Sequence, residues 1–103
     1  MVWHAAQRRS ISPLLLELQA EVDRYAIART ARVRDPLRHF AQLRLRAGLS
    51  RAQRGRYRAA HAAAFRYCRA LEGRFPRRSD LPGWLRELRG FYRRPPAQKL
   101  AAA

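Results

Sequence analysis

A chain of 103 residues is enough for one small domain, and its 23 basic residues against 7 acidic ones leave a net charge of +16. Charge of one sign at that density repels itself in a compact monomer, so the composition asks for a polyanionic partner. The one cysteine, Cys68, excludes an intrachain disulfide and a cysteine-built zinc site; His4, His39 and His61 lack ligand spacing, and no apolar run approaches the roughly 18–20 residues of a membrane span.

Lys99 is the only lysine and every other base is Arg. Arg presents a planar fork of donors that suits phosphate and stacks on bases. Codon composition accounts equally well for the ratio of Arg to Lys, since Ala is abundant too, but it does not account for the shortage of acids.

Residues 1–11 form a basic N-terminal arm. The first sixteen residues hold Arg8, Arg9, two serines and no acid, a composition like that of an organellar transit sequence; an uncleaved targeting signal and an ordinary basic arm both fit. A single helical domain is expected over 12–94. Ser12-Pro13 signals a helix start, and Leu14, Leu18, Val22 and Tyr25 repeat at helical spacing. This helix should run to Arg34, with Glu17, Glu21 and Asp23 near its positive dipole end. Asp35-Pro36 repeats the start signal. Leu37, Phe40, Ala41 and Leu45 predict a second helix, which Gly48 stops. Ser50 caps a third helix whose face is Tyr57, Ala60, His61, Ala64, Cys68 and Leu71, ending near Glu72 and Gly73. The small residues from Ala59 to Ala64 allow a neighbouring helix or an RNA backbone to come close. Phe75-Pro76 is a hinge, and Phe75 reads as a plug between the third and fourth helices, the alternative being a base-stacking finger exposed to RNA. Ser79 or Asp80 caps the last helix, Pro82 lies in its first turn, and Leu81, Leu85, Leu88 and Tyr92 form its face, flanked by Trp84 and Phe91. Pro95-Pro96 stops it, leaving 95–103 as an extended tail. Nothing alternates with a strand period, so the class is all-α, three or four helices.

The stretch from Pro36 to Leu71 contains arginines 38, 44, 46, 51, 54, 56, 58, 66 and 69 and no acid. Arg51, Arg54 and Arg58 recur at spacings of three and four, so they share one helix face and repel one another in water. Solvated helix faces mix charge signs, which this one does not, and a phosphate-contacting surface is the better account. Arg77, Arg78, Arg93 and Arg94 make a second basic group beside Phe91 and Tyr92. Aromatics next to arginines stack on splayed RNA bases, or equally fill a core; Tyr92 reads as core, and Trp84 and Phe91 are open between the two roles. No carboxylates pair at catalytic spacing and no Gly-rich phosphate loop is present. His61 and Cys68 are seven residues apart, about 10 Å along a helix, too far for one to activate the other, and read as core or interface.

Three families offer resemblances. Ser50-Arg51-Ala52-Gln53, Ala64-Phe65, Arg74-Phe75-Pro76 and then Leu81, Leu85 and Leu88 resemble mitochondrial large-subunit ribosomal protein sixty-three over roughly Leu49 to Leu88, with Ala52 where that family carries Glu. The run from Leu85 through Arg86, Glu87, Leu88, Arg89, Gly90, Phe91, Tyr92, Arg93 and Arg94 to Pro95 looks like the basic C-terminal helix of bacterial-type small-subunit ribosomal protein twenty-one. Ala64-Phe65-Arg66, Phe75, Leu88-Arg89 and Tyr92-Arg93 resemble the pattern of the Leu-Tyr-Arg family of respiratory accessory subunits and assembly factors. All three imply a mitochondrial assembly. The expectation is a non-enzymatic structural constituent of the mitochondrial ribosome in the matrix. Its partners would be rRNA and neighbouring ribosomal proteins, with no cofactor, metal or small-molecule substrate. The alternative is an accessory or assembly subunit of a respiratory complex. Arginines on several faces fit RNA wrapping; a single patch beside an apolar groove fits a protein partner.

Overall fold

The computed structural model describes residues 13–41, 45 and 47–102, and these are all-α, with four helices and no strand. Helix α1 is Pro13–Thr30, α2 is Arg51–Arg74, α3 is Leu81–Arg93 and α4 is Pro96–Ala102. The N-terminal arm and the Ser12 cap lie outside the described residues, as do Arg44 and Arg46.

Helix α1 packs along α2. It buries Leu15, Leu18, Val22 and Tyr25, while Leu14 packs at the edge of the core. Its first turn holds no acid; Glu21 and Asp23 are instead used in side-chain contacts. The helix stops at Thr30, short of the expected Arg34. The Val33 N–H reaches back to the Ala28 carbonyl at 2.9 Å and the Arg32 N–H to the Arg29 carbonyl at 3.1 Å. That pair of bonds closes a helix through a residue in the left-handed region, usually Gly. Here the residue is Arg32, at φ 62°.

The expected second helix is not formed over its described residues, which hold one 3-10 turn, Arg38–Ala41. The Asp35 carboxylate accepts from the Leu37 N–H at 3.2 Å, so the start signal is real, but the turn ends in an anchor. Phe40 is buried, and the His61 ring bonds the Phe40 carbonyl through Nε2 at 2.8 Å. In a continuing α-helix that carbonyl would accept from the fourth residue on. Gly48, at φ +83°, turns the chain toward α2.

Ser50 and Gln53 cap α2 reciprocally. The Ser50 hydroxyl accepts from the Gln53 N–H at 3.1 Å and the Gln53 side chain accepts from the Ser50 N–H at 2.7 Å. The helix buries Ala60, Ala63, Ala64, Tyr67, Cys68 and Leu71. Asp80 is the N-cap of α3, but its carboxylate accepts from the Arg77 N–H at 2.9 Å rather than from the helix it precedes.

Helix α3 is rotated from the expected face. Trp84, Leu88 and Phe91 are buried, with Leu81, Leu85 and Tyr92 at the rim. The large rings remove more apolar surface from water than leucines do, and the core has partners for them: Phe91 stacks on Tyr67 at 4.3 Å and Trp84 meets Tyr25 edge-on at 5.9 Å. Trp84 and Phe91 are therefore core residues, not base-stacking ones. Tyr92 is half-buried, its hydroxyl donating to the Asp23 carboxylate. Phe75 is half-buried against the core, its Cε1 only 2.8 Å from where a Cβ on Gly83 would stand. The missing side chain at Gly83 makes the seat for this plug.

The expected extended tail is corrected as well. Pro96 opens α4, where a missing N–H costs nothing, the Ala-rich sequence favours helix, and the Lys99 ammonium donates to the Gln19 side chain at 3.0 Å, which pins the tail to α1.

Candidate nucleic-acid interface

The corner where α1, α2 and α3 meet is held by hydrogen bonds that the sequence did not signal. The Trp84 indole donates to the Tyr25 hydroxyl at 2.7 Å, and that hydroxyl donates to Glu72 Oε1 at 2.5 Å. Arg29 donates to the same oxygen at 2.5 Å and to the Arg77 carbonyl at 3.1 Å, its guanidinium lying over the Trp84 ring. Burial, with Glu72 beside it, raises the Tyr25 pKa well above the usual phenol range, so the hydroxyl stays a donor. A second corner gathers on Glu21: His39 Nε2 stands 3.3 Å and His61 Nδ1 3.6 Å from its Oε2, with Arg24 at 3.8 Å from Oε1. Cys68 is fully buried, and the apolar surroundings push its thiol pKa up, the opposite of an activated nucleophile.

Glu72 and Glu87 are thus engaged within the fold, Glu87 meeting Arg94 at 3.0 Å and Arg74 at 3.7 Å. The arginines are left outside. Every described arginine except Arg29 and Arg94 is exposed, and most of them fall into three groups, with Arg24, Arg66 and Arg74 outside these.

The first is the start of α2. The first core residue of that helix is Ala60, so the turns before it overhang the bundle. Arg51, Arg54 and Arg58 share a face about 60° wide at 100° per residue, while Arg56 lies on the side that deeper in the helix faces the core. All four are exposed. The Arg54 Nε donates to the Leu49 carbonyl at 3.2 Å, which fixes the approach to the helix. Arg69 lies on the same line as Arg51, about 27 Å further along, and its guanidinium sits over the Phe65 ring. The exposed face between them carries Gly55, Ala59 and Ala62.

The second group is Arg86, Arg89 and Arg93 on α3, spaced at three and four along one exposed face. Arg93 was expected there; Arg86 and Arg89 were not, although the same spacing rule finds them. Arg94 is half-buried on Glu87 and is removed from this surface.

The third group borders a cleft between the end of α1 and the hinge. Arg32, Arg34 and Arg78 line it with Val33, Pro36, Pro76 and Leu81. Arg78 is expected at the surface from the sequence, whereas the helical stripe of α1 places Arg32 and Arg34 inside the first helix. Arg38 is exposed on its 3-10 turn and Arg77 on the hinge. The structure therefore brings Arg51, Arg54, Arg56 and Arg58 together, separates Arg93 from Arg77 and Arg78, and leaves the arginines spread over every connection and over α2 and α3.

Among the described residues no helix is long and apolar enough to cross a membrane. No protein-family model, curated protein or solved structure matches the chain.

Proposed function

We propose that this protein is a structural constituent of the mitochondrial ribosome, in the matrix, whose arginines neutralise and pin rRNA phosphates. The observation that carries the reading is the segregation of charge: carboxylates such as Glu72 and Glu87 bond within the fold, while nearly all the described arginines face solvent on several elements. Such a surface repels itself unless phosphates lie on it, and phosphate contacts fix a protein's position on RNA without reading sequence. The spread over α2, α3 and both connections suits RNA wrapping better than one acidic protein partner. The resemblance of Leu49 to Leu88 to mitochondrial large-subunit ribosomal protein sixty-three supports the compartment and the large subunit.

The test is ultraviolet crosslinking of the tagged chain in cells, followed by RNA sequencing and gradient sedimentation. Co-migration with a mitochondrial ribosomal subunit and crosslinks to rRNA are expected. Migration with a respiratory complex, free of RNA, would overturn the proposal in favour of the accessory-subunit reading.

A further inference from the structure

The cleft beside the end of α1 is different in kind from the two arginine faces. It is an open groove of about 440 Å³, within the size range of small-ligand sites. One part of its wall is apolar: Val33, Pro36, Pro76 and Leu81. Val33 is 49% exposed, a large apolar side chain left facing solvent in a strongly charged protein. The other part is cationic. Arg32, Arg34 and Arg78 meet no acid among the described residues, and the one carboxylate in the cleft, Glu72, is already engaged by Arg29 and Tyr25.

The backbone adds an independent observation. Arg32 holds the left-handed position that closes α1, at φ 62°, where Gly is unstrained and any side chain carries a penalty. A side chain kept in a strained position on the rim of a cleft points to a use for that side chain. Apolar walls beside unpaired cations match a nucleotide, which joins an apolar base to an anionic phosphate. Single-stranded loops and bulges offer such nucleotides, because their bases splay out of the stack.

We propose that this cleft receives one unpaired nucleotide of the bound RNA, its base against Val33, Pro36, Pro76 and Leu81 and its phosphates on Arg32, Arg34 and Arg78. The inference rests on the RNA-binding reading and adds a local preference to it: the arginine faces take any phosphate backbone, whereas the cleft selects a bulge or loop.

The experiment uses the full chain and two RNA hairpins of equal length, one fully paired and one with a single bulged 2-aminopurine. Wild-type protein is expected to bind the bulged hairpin about tenfold more tightly and to change the 2-aminopurine emission on binding. Val33→Glu, at an exposed position, sets a carboxylate against the three arginines and the phosphate they would hold, and should bring the affinity ratio close to one and abolish the emission change. Arg32→Gly, which relieves the backbone, should lower the ratio while holding or raising Tm; a purely structural Arg32 would give the Tm gain without the change in ratio. Equal affinity for both hairpins with no emission change overturns the cleft assignment and leaves RNA binding standing. So does a bulge preference that survives Val33→Glu. Failure to bind either hairpin overturns the RNA-binding reading itself, and this assignment with it.

Discussion

Replacing Gly83 by Ala should destabilise the protein when Phe75 is present and stabilise it when Phe75 is absent. In a helix Ala is favoured over Gly by roughly 0.5–1 kcal/mol, because it has less chain entropy to lose. Against that, the new Cβ would stand 2.8 Å from Phe75 Cε1, where ordinary contact begins at 3.4 Å. The ring must move by about 0.6 Å out of a seat between α2 and α3, and overpacking of this kind costs about 1–3 kcal/mol. The net effect of Gly83→Ala in the wild type is a loss of about 0.5–2 kcal/mol, or several degrees in Tm for a domain of this size. Phe75→Ala alone costs about 2–3 kcal/mol, below the roughly 3–5 kcal/mol of a fully buried Phe, because the ring is only half-buried. In that background Gly83→Ala should gain about 0.5–1 kcal/mol, since nothing remains to clash. The assay is thermal or urea unfolding followed by circular dichroism, with sulfate present to screen the arginines. Phe75→Leu should recover most of the loss, because the seat needs bulk and not a ring. If Gly83→Ala stabilises both backgrounds equally, the plug does not exist as described.

Glu72→Gln should cost about 2 kcal/mol in the same assay, because Arg29 loses its only carboxylate while remaining largely buried; an unchanged Tm would show that the corner does not hold the helices. Burial lowers the His39 pKa from 6.5, against the opposing pull of Glu21 and with Arg24 and His61 adding to the lowering. The unfolded chain therefore binds the proton more readily, so this stability is complete above pH 6.5 and is lost as pH falls from there toward the folded pKa. His39→Gln should flatten that part of the pH–stability curve, and a wild-type curve that rises on acidification would contradict the reasoning. Cys68 should resist a thiol reagent in the native protein and react at the rate of unfolding; immediate labelling would contradict its burial.

The helices were legible in the sequence wherever a start signal and a periodic stripe agreed. Ser50 capped α2 as expected, and the Leu18, Val22 and Tyr25 positions of α1 fell on the core. Asp35-Pro36 also signalled a start, but His61 occupies the Phe40 carbonyl, a contact between residues 21 apart that no local pattern contains. The same holds for Trp84 and Phe91: periodicity fixed which residues share a face, and the choice between two adjacent faces of α3 was made by Tyr25 and Tyr67 across the core. The helical tail is not legible locally because its anchor is Gln19, in α1. At the interface, Arg51, Arg54 and Arg58 could be placed together because one helix carries them. Arg32, Arg34 and Arg78 come from two connections, and only the fold makes them neighbours.

The most direct measurement of the central claim is the affinity of the full chain for a structured RNA as a function of salt. If about six phosphates are neutralised, a log–log slope near −5 follows from counterion release. The triple variant Arg51→Gln, Arg54→Gln, Arg58→Gln should weaken binding to every RNA tested and make the slope shallower by about 2–3, close to one for each arginine removed. A slope near zero, or a triple variant with the wild-type slope, would contradict the assignment of this surface to RNA.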